Sequence, residues 1–447
     1  MFAAAPRLTE RMLWLRLFAP FAAGYFLSYL LRSVNALLSP ELLRELHLSA
    51  SDLGLLTSAY LLAFALAQIP IGVALDRYGP RRVESVLMLV AAAGAALFAL
   101  GDSLLTLAIA RGVIGLGVSA CLMASIKGFS QWLPPARQAS MTALIMAAGA
   151  LGALSASLPM EALLPWLGWR GIFWLVCALC VLVAYGLWRY SPEHPGHDRQ
   201  QSVWAAMCEV GRIFKSSALW RMAPHAAFVS GGFMALQGLW AVQWMMQAGG
   251  MARADAADHL FILGIGMLGG QFAIGVLVER WAEQGIPPLR MMHLGVGLML
   301  VTEVCIISGI GPSRLQWLLL GMFAASSAQM YGVLNEHFDR RLAGRVSTAL
   351  NLVAFVGAFA VQWGFGVLSD YLQGSGMVGA GAGAGSGALG GSLAGSYCTQ
   401  QSLQCSFAVL VLLQAFGFLM LLRMPMLRSS SALHAMTDLS GERSSPP

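Results

Sequence analysis

Two long apolar runs, residues 53–75 and 83–100, are separated by one short charged turn: Gly72-Val-Ala-Leu-Asp76-Arg77-Tyr-Gly79-Pro80-Arg81-Arg82. A connection this short can join only neighbouring antiparallel helices, and runs of this length and apolarity are long enough to span a bilayer. Arg77, Arg81 and Arg82 mark the cytoplasmic side, because positive charge is retained there during insertion. The turn therefore sets an orientation for the whole chain.

The same pattern continues along the sequence. Apolar runs at 17–38, 53–75, 83–100, 104–126, 139–158, 172–187, 223–246, 260–278, 291–310, 315–334, 346–368 and 407–422 predict twelve transmembrane helices. Of the 27 arginines and lysines, only Arg44, Arg170, Arg253 and Arg314 fall on the far side, and only Arg32 and Arg111 fall inside runs. All others lie on the side of both termini, which places the N- and C-termini in the cytoplasm. The net charge of +6 thus reports topology and not nucleic-acid binding. A chain that is 57% hydrophobic and 11% charged is not a soluble enzyme, since soluble domains carry about a quarter charged residues. We find no nucleotide loop, metal-ligand cluster or nucleophile–base pair, so neither an enzyme, a cofactor nor a metal is expected.

The first run is too long for a cleavable signal and reads as a retained anchor. Cys177-x-x-Cys180 lies inside a run and reads as small packing residues. Cys398 and Cys405 face the outer compartment, where a disulfide between them would persist.

Six runs, a polar linker and six more runs predict a duplicated unit. The expected organisation is a six-helix bundle at 1–190, a cytoplasmic linker at 191–221, a second bundle at 222–428 and a tail at 429–447. Within the linker, 203–214 reads as an amphipathic helix along the inner surface. Gly72-Val-Ala-Leu-Asp76-Arg77 recurs as Gly275-Val-Leu-Val-Glu279-Arg280, and Arg137-Gln-Ala-Ser-Met-Thr-Ala-Leu144 recurs as Arg345-Val-Ser-Thr-Ala-Leu350. Paired halves with a site between them are a recurrent plan for transporters. The Gly/Ala/Ser stretch at 374–396 cannot bury a core and reads as a loose outer loop.

With these features in place, the chain resembles the major facilitator superfamily over essentially its whole length. Gly72 to Arg82 is similar to the signature between that family's second and third helices. Arg111-Gly-Val-Ile-Gly115-Leu-Gly117 is similar to the arginine-bearing pattern of its fourth helix, and Gly168-Trp169-Arg170 with Phe173 to the start of its sixth. The resemblance implies an all-α integral membrane protein of two pseudo-symmetric bundles. It also implies that Gly72, Asp76, Arg77, Gly79 and Arg81 form a conformational latch, with Asp76 reaching the eleventh helix.

Charge inside a bilayer costs about 2.5–3.5 kcal/mol per group, so Arg32 and Arg111 call for a reason. Each lies some seven residues, or about 10 Å, from the outer end of its run. Tyr25, Tyr29, Arg32 and Asn35 share one helical face. Guanidinium forks match carboxylate or phosphate oxygens, so Arg32 and Arg111 are candidates for an anion clamp. The alternatives are snorkelling of Arg32 to the outer interface and a structural role for Arg111. Tyr29-Leu-Leu-Arg32-x-x-x-Ala36-x-x-x-Pro40-x-Leu42 is similar to the first helix of organophosphate:phosphate antiporters, and organic-anion symporters carry a related pattern. Those antiporters have a second arginine on the seventh helix, where this chain has Gln237, Trp240, Gln243 and Trp244. A monocarboxylate or a larger anion of mixed polarity therefore fits better than a doubly charged phosphate.

The expected substrate contacts are Tyr29, Arg32, Asn35, Tyr60, Arg111, Gln237 and Trp240. Gln68, Gln271, Gln329, Tyr331, Asn351 and Gln362 are further neutral candidates, each equally able to hold helices together. Glu303 is the deepest acid and the candidate for proton coupling, with a structural role as its alternative. The expected function is alternating-access transport of a small organic anion across a bacterial inner membrane, by a monomer whose partners are its substrate and the lipid. Proton-coupled efflux of amphiphilic compounds is the alternative. Against it, the stretch Gly149-Ala-Leu-Gly152-Ala-Leu-Ser-Ala-Ser-Leu-Pro159 lacks the Gly-Pro core of the exporter signature.

Overall fold

The computed structural model describes residues 10–133, 135–192, 203–284, 286–339, 342–374 and 388–424. The helices are α1 (Glu10–Leu46), α2 (Ala50–Tyr78), α3 (Pro80–Leu100), α4 (Leu104–Trp132), α5 (Pro135–Ser155) and α6 (Leu158–Tyr190). A linker helix (Val203–Phe214) follows, then α7 (217–248), α8 (Arg253–Glu283), α9 (Pro288–Ser308), α10 (Ser313–Asn335), α11 (Ala343–Gly374) and α12 (Ala388–Leu422). Among the described residues, ten helices are long and apolar enough to cross a membrane. The other two are α5, whose apolar part is shorter (Ser140–Ser155), and α7, which is cut into pieces.

Local chemistry sets the ends. Ser49 caps α2 and exchanges hydrogen bonds with Asp52, a capping box that satisfies two otherwise orphaned N–H groups. Gly79, at φ 82°, lets α3 start directly after α2, with Pro80 in its first turn.

Besides a π-helical segment at the start of α1 (Leu13–Phe18) and a non-helical Gly168 (φ 63°) in α6, three helices are interrupted within their apolar runs. In α4 a turn at Ser119–Ala120 separates Leu104–Val118 from Cys121–Trp132. In α10 a 3₁₀ stretch at Ala325–Gln329 falls at the matching place. The seventh run contains three π-helical segments, His225–Ser230, Leu236–Trp240 and Trp244–Ala248. Such wide turns release backbone groups and often mark functional sites.

The same packing plan appears twice. α2 packs on α4 as α8 packs on α10, and α1 packs on α5 as α7 packs on α11. Across the two sets, α2 and α11 touch along their lengths. Their contacts run from Ala50 against Asp370 at one end, through Phe64 against Phe355, to Gly72 beside Arg345 at the other. Gly366 allows this approach, because a Cβ there would sit 2.4 Å from the Ala50 carbonyl oxygen. We call the end carrying the α1–α2 turn distal, and the end carrying the α2–α3 turn and the linker helix proximal.

The linker helix forms over the stretch read as amphipathic. It packs on α2 and α11, burying Val210 and Ile213, and Glu209 pairs with Arg345 at 3.1 Å. α12 begins at Ala388, inside the stretch expected to be a loop, while 375–387 and the tail lie outside the described residues. Cys405 carries a free thiol, and the side chain of Cys398 is outside the described set.

Candidate functional site

Arg32 sits two-thirds of the way along α1 with its Nε buried and without a hydrogen-bond partner. Its guanidinium lies over three rings: Tyr29 at 4.7 Å, Phe64 of α2 at 5.2 Å and Phe355 of α11 at 5.2 Å. Phe64 and Phe355 stack on each other at 4.5 Å, so the cage is closed by one residue from each set of helices. Ring faces attract a cation but do not neutralise it, and arginine does not lose its proton. Among the described residues no carboxylate pairs with this guanidinium.

Tyr25 meets Tyr29 edge to face at 5.1 Å. Both rings lie against Gly149 of α5, where a Cβ would come within 2.6 Å of Tyr25. From the other side, Tyr331 of α10 donates a hydrogen bond to Asn351 of α11 and stands within electrostatic reach of Tyr29 and Arg32. The cluster therefore draws on α1, α2, α10 and α11, at the contact of the two helix sets. Asn35, one turn further along α1, donates to Thr57 Oγ1 at 3.5 Å, and its buried Oδ1 has no partner.

Arg111 is placed differently from a residue that faces a chamber. It is fully buried, donates from Nη1 to the Leu31 carbonyl at 2.8 Å, and lies 5.0 Å from the centre of the Tyr60 ring. Its Nε and Nη2 have no partner. Leu31 precedes Arg32, so Arg111 braces the backbone that carries the caged guanidinium. Tyr60 donates to the Ser28 carbonyl at 3.3 Å, one turn before Arg32.

The helix α7 candidates are engaged elsewhere. Gln237 contacts Met267 Sδ of α8 at 3.0 Å, while Trp240 donates to the Gln362 carbonyl at 3.0 Å and stacks on Phe365 at 4.4 Å. Glu303 is also remote: it is buried between α9 and α12 and accepts a hydrogen bond from Gln414 at 3.2 Å. Sequence reading missed Phe64 and Phe355, since one aromatic ring in an apolar run carries no signal of its partner.

The latch residues cluster at the proximal end, but Asp76 does not reach α11. It pairs with Lys127 of α4, which lies at matching depth beside it. Arg81 donates to the Trp188 carbonyl of α6, and Arg77 lies over Tyr78 at 5.4 Å. From α11, Arg345 lies beside Gly72 and pairs with Glu209 of the linker helix.

A second polar assembly ties the two helix sets at the distal end. Arg253 of α8 meets Glu41 of α1 at 2.6 Å and Glu161 of α6 at 2.9 Å, and donates to the Leu37 carbonyl at 3.1 Å. Gln243 donates to Ser39 at 2.7 Å. Asp370 of α11 accepts from the Ala50 and Ser51 N–H groups at 3.1 and 2.8 Å, where the α2 dipole favours negative charge. In the sequence, Arg253 reads only as a topological charge.

Comparison with known proteins agrees with this architecture. The chain is 23% identical over 363 residues to a probable L-galactonate transporter of Escherichia coli, covering 74% of this chain and 77% of that one. It is 25% identical over 217 residues to the E. coli hexuronate transporter, covering 45% and 50%. A shorter match, 28% over 149 residues, is to a probable sulfoacetate transporter of Cupriavidus necator, covering 33% of this chain and 35% of that protein. Among solved structures, a bacterial homologue of the human lysosomal transporter Spinster superposes with TM-score 0.73 at 19% identity, covering 91% of this chain and 95% of that one. A D-xylose–proton symporter does so with TM-score 0.67 at 15% identity, covering 89% and 96%. The Major Facilitator Superfamily profile matches residues 21–361. The chain belongs to the major facilitator superfamily, and it is a membrane transporter and not an enzyme.

Proposed function

We propose that this protein is a secondary carrier for a small organic anion of the sugar-acid or short carboxylate type. It spans a bacterial inner membrane twelve times, keeps both termini in the cytoplasm and works as a single chain. The observation that carries this reading is Arg32: a permanent cation at the contact of the two helix sets, ringed by aromatics and without an acidic partner among the described residues. A carboxylate arriving there would form charge-assisted hydrogen bonds, the Nε donor being unpaired, although Tyr60 already meets part of the guanidinium. Tyr331 and Asn351 stand close enough to read hydroxyl groups on the same cargo. The names of the galactonate, hexuronate and sulfoacetate relatives support an anion of this class.

With the positive-inside orientation, the distal end faces outward. Arg253, Asp370 and Gln243 then tie the two helix sets together on the outer side. Rocking of α1–α6 against α7–α12 breaks those ties and rearranges the contacts at the inner end, where the Asp76–Lys127 pair and the linker helix lie.

The test is counterflow in proteoliposomes with labelled galactonate, galacturonate and sulfoacetate, in wild type and Arg32→Ala. Losing charge-assisted bonds worth about 1.5–3 kcal/mol weakens uptake by roughly 10- to 150-fold. The competing reading, export of amphiphiles, draws on a 28% match over 156 residues to a chloramphenicol resistance protein of Streptomyces lividans. Movement of chloramphenicol but of none of the acids, unchanged in Arg32→Ala, would replace our reading with that one.

A further inference from the structure

Glu84 is completely buried, and neither carboxyl oxygen has a hydrogen-bond partner. It lies on the second turn of α3, about 6 Å in from Pro80 at a rise of 1.5 Å per residue. The chain makes room for it at Gly24 of α1, where a Cβ would sit 2.4 Å from Oε1. A buried carboxyl with neither water nor a cation beside it is costly to keep, so its position calls for a reason.

The groups facing Glu84 are few. From α1 come Gly24 and, beside it, Tyr25, whose ring turns towards Tyr29 and Gly149. From α4 comes the thiol of Cys121, within reach of the carboxyl and, on its other side, of Cys180 of α6. Val183 of α6 closes the pocket near Gly24. On α3 itself, Arg81 stands one turn before Glu84 but sends its guanidinium to the Trp188 carbonyl of α6. No ion pair with Glu84 exists among the described residues.

The path from this acid to the caged cation is short and runs along one helix. Gly24, directly against the carboxyl, is followed by Tyr25, then Tyr29, then Arg32. Eight residues of α1 span about 12 Å, and a helix of that length moves as a rigid piece. A shift of α1 when an anion meets Arg32 is therefore felt at Gly24.

We propose that Glu84 is a proton-binding site, covered by the α1 backbone, which carries the proton that accompanies the anion at Arg32. For the cargo, this rests on the function proposed above. One proton moving with one monoanion makes a neutral load: the carboxyl takes a proton on one side of the membrane and releases it on the other, with no bond changed in the cargo. Glu303, the other wholly buried acid named above, lacks this link, because it sits between α9 and α12 and pairs with Gln414.

Two measurements on the full chain in lipid test the site. The first is infrared titration of the carboxylic-acid carbonyl band, in wild type, Glu84→Gln and the control Glu303→Gln. We expect a pH-dependent component that Glu84→Gln removes and Glu303→Gln keeps. The second is galactonate movement in proteoliposomes. Glu84→Gln should retain counterflow exchange but lose accumulation driven by an imposed pH gradient, and Glu84→Asp should recover at least part of it. An unchanged infrared titration in Glu84→Gln overturns the proposal, as does full gradient-driven accumulation by that variant. If wild type moves none of the acids, the anion reading fails, and the infrared titration still decides whether residue 84 binds a proton.

Discussion

Replacing Arg253 by alanine removes the hub of the distal closure and should tip the carrier towards its outward-open state. The side chain is 18% exposed, and its partners Glu41 and Glu161 are 26% and 23% exposed, so both pairs are largely withdrawn from water. Exposed pairs are worth about 0.2–1 kcal/mol, while breaking a fully buried one costs about 3–5 kcal/mol. These pairs fall between those limits. In the open state water and lipid headgroups reach all three groups, so part of the loss is recovered. About 2 kcal/mol of preference for the closed outer side should disappear. At about 1.4 kcal/mol per factor of ten, the ratio of outward-open to closed molecules rises roughly 30-fold. Spin labels at Leu105→Cys and Leu315→Cys, both exposed at the distal starts of α4 and α10, read the change as a longer inter-label distance. The background carries Cys208→Ser and Cys405→Ser, because both thiols are exposed. An inter-label distance distribution in Arg253→Ala that matches the parent would refute the reasoning and leave the triad an ornament of one end.

Two further expectations concern packing and topology. Gly152→Val places a side chain where a Cβ would lie 2.1 Å from the Phe26 carbonyl oxygen of α1, which cannot move aside as a side chain would; overpacking of about 1–3 kcal/mol should lower the thermal midpoint, whereas Gly186→Ala, with nothing nearby, should not. Cys208 on the linker helix is exposed, so a membrane-impermeant maleimide should label it only after permeabilisation of intact cells, with Cys208→Ser as the blank, and labelling from outside would invert the topology proposed here.

The long apolar helices and the turn at Gly79 were legible in the sequence because each depends on local chemistry: apolar length, and a backbone angle that favours glycine. Arg32 was legible for a related reason, since a charge in an apolar run stands out whatever surrounds it. What it faces was not legible. Phe64 and Phe355 are separated by most of the chain, and only the α2–α11 contact turns two ordinary apolar residues into a cage. Arg111 stood out equally well in the run, yet it braces the Leu31 carbonyl, because depth in a helix does not determine the direction of a side chain. Glu84 drew no reading at all: it falls at the second residue of the run 83–100, beside Arg81 and Arg82, and only the structure shows that α1 covers it.

The break in α4 links these elements physically. A turn at Ser119–Ala120 leaves the Val118 and Ser119 carbonyls without their usual helical donors, and nothing in a hydrocarbon layer can replace them. Ser28 of α1 and Gln68 of α2 supply the missing donors, at 3.4 Å each. Ser28 is also where Tyr60 donates, so α1, α2 and α4 are bound at one level, just proximal to Arg32 and Arg111. Below that level α4 restarts at Cys121, which brings its thiol to Glu84. A continuous α4 would have kept its own carbonyls satisfied, leaving the Ser28 hydroxyl without this acceptor and the Gln68 amide with only the Phe64 carbonyl of its own helix. The interruption thus fixes both the support of the caged cation and the surroundings of the buried acid. The matching 3₁₀ stretch in α10 sits just before Tyr331, which stands within electrostatic reach of Arg32 from the second helix set.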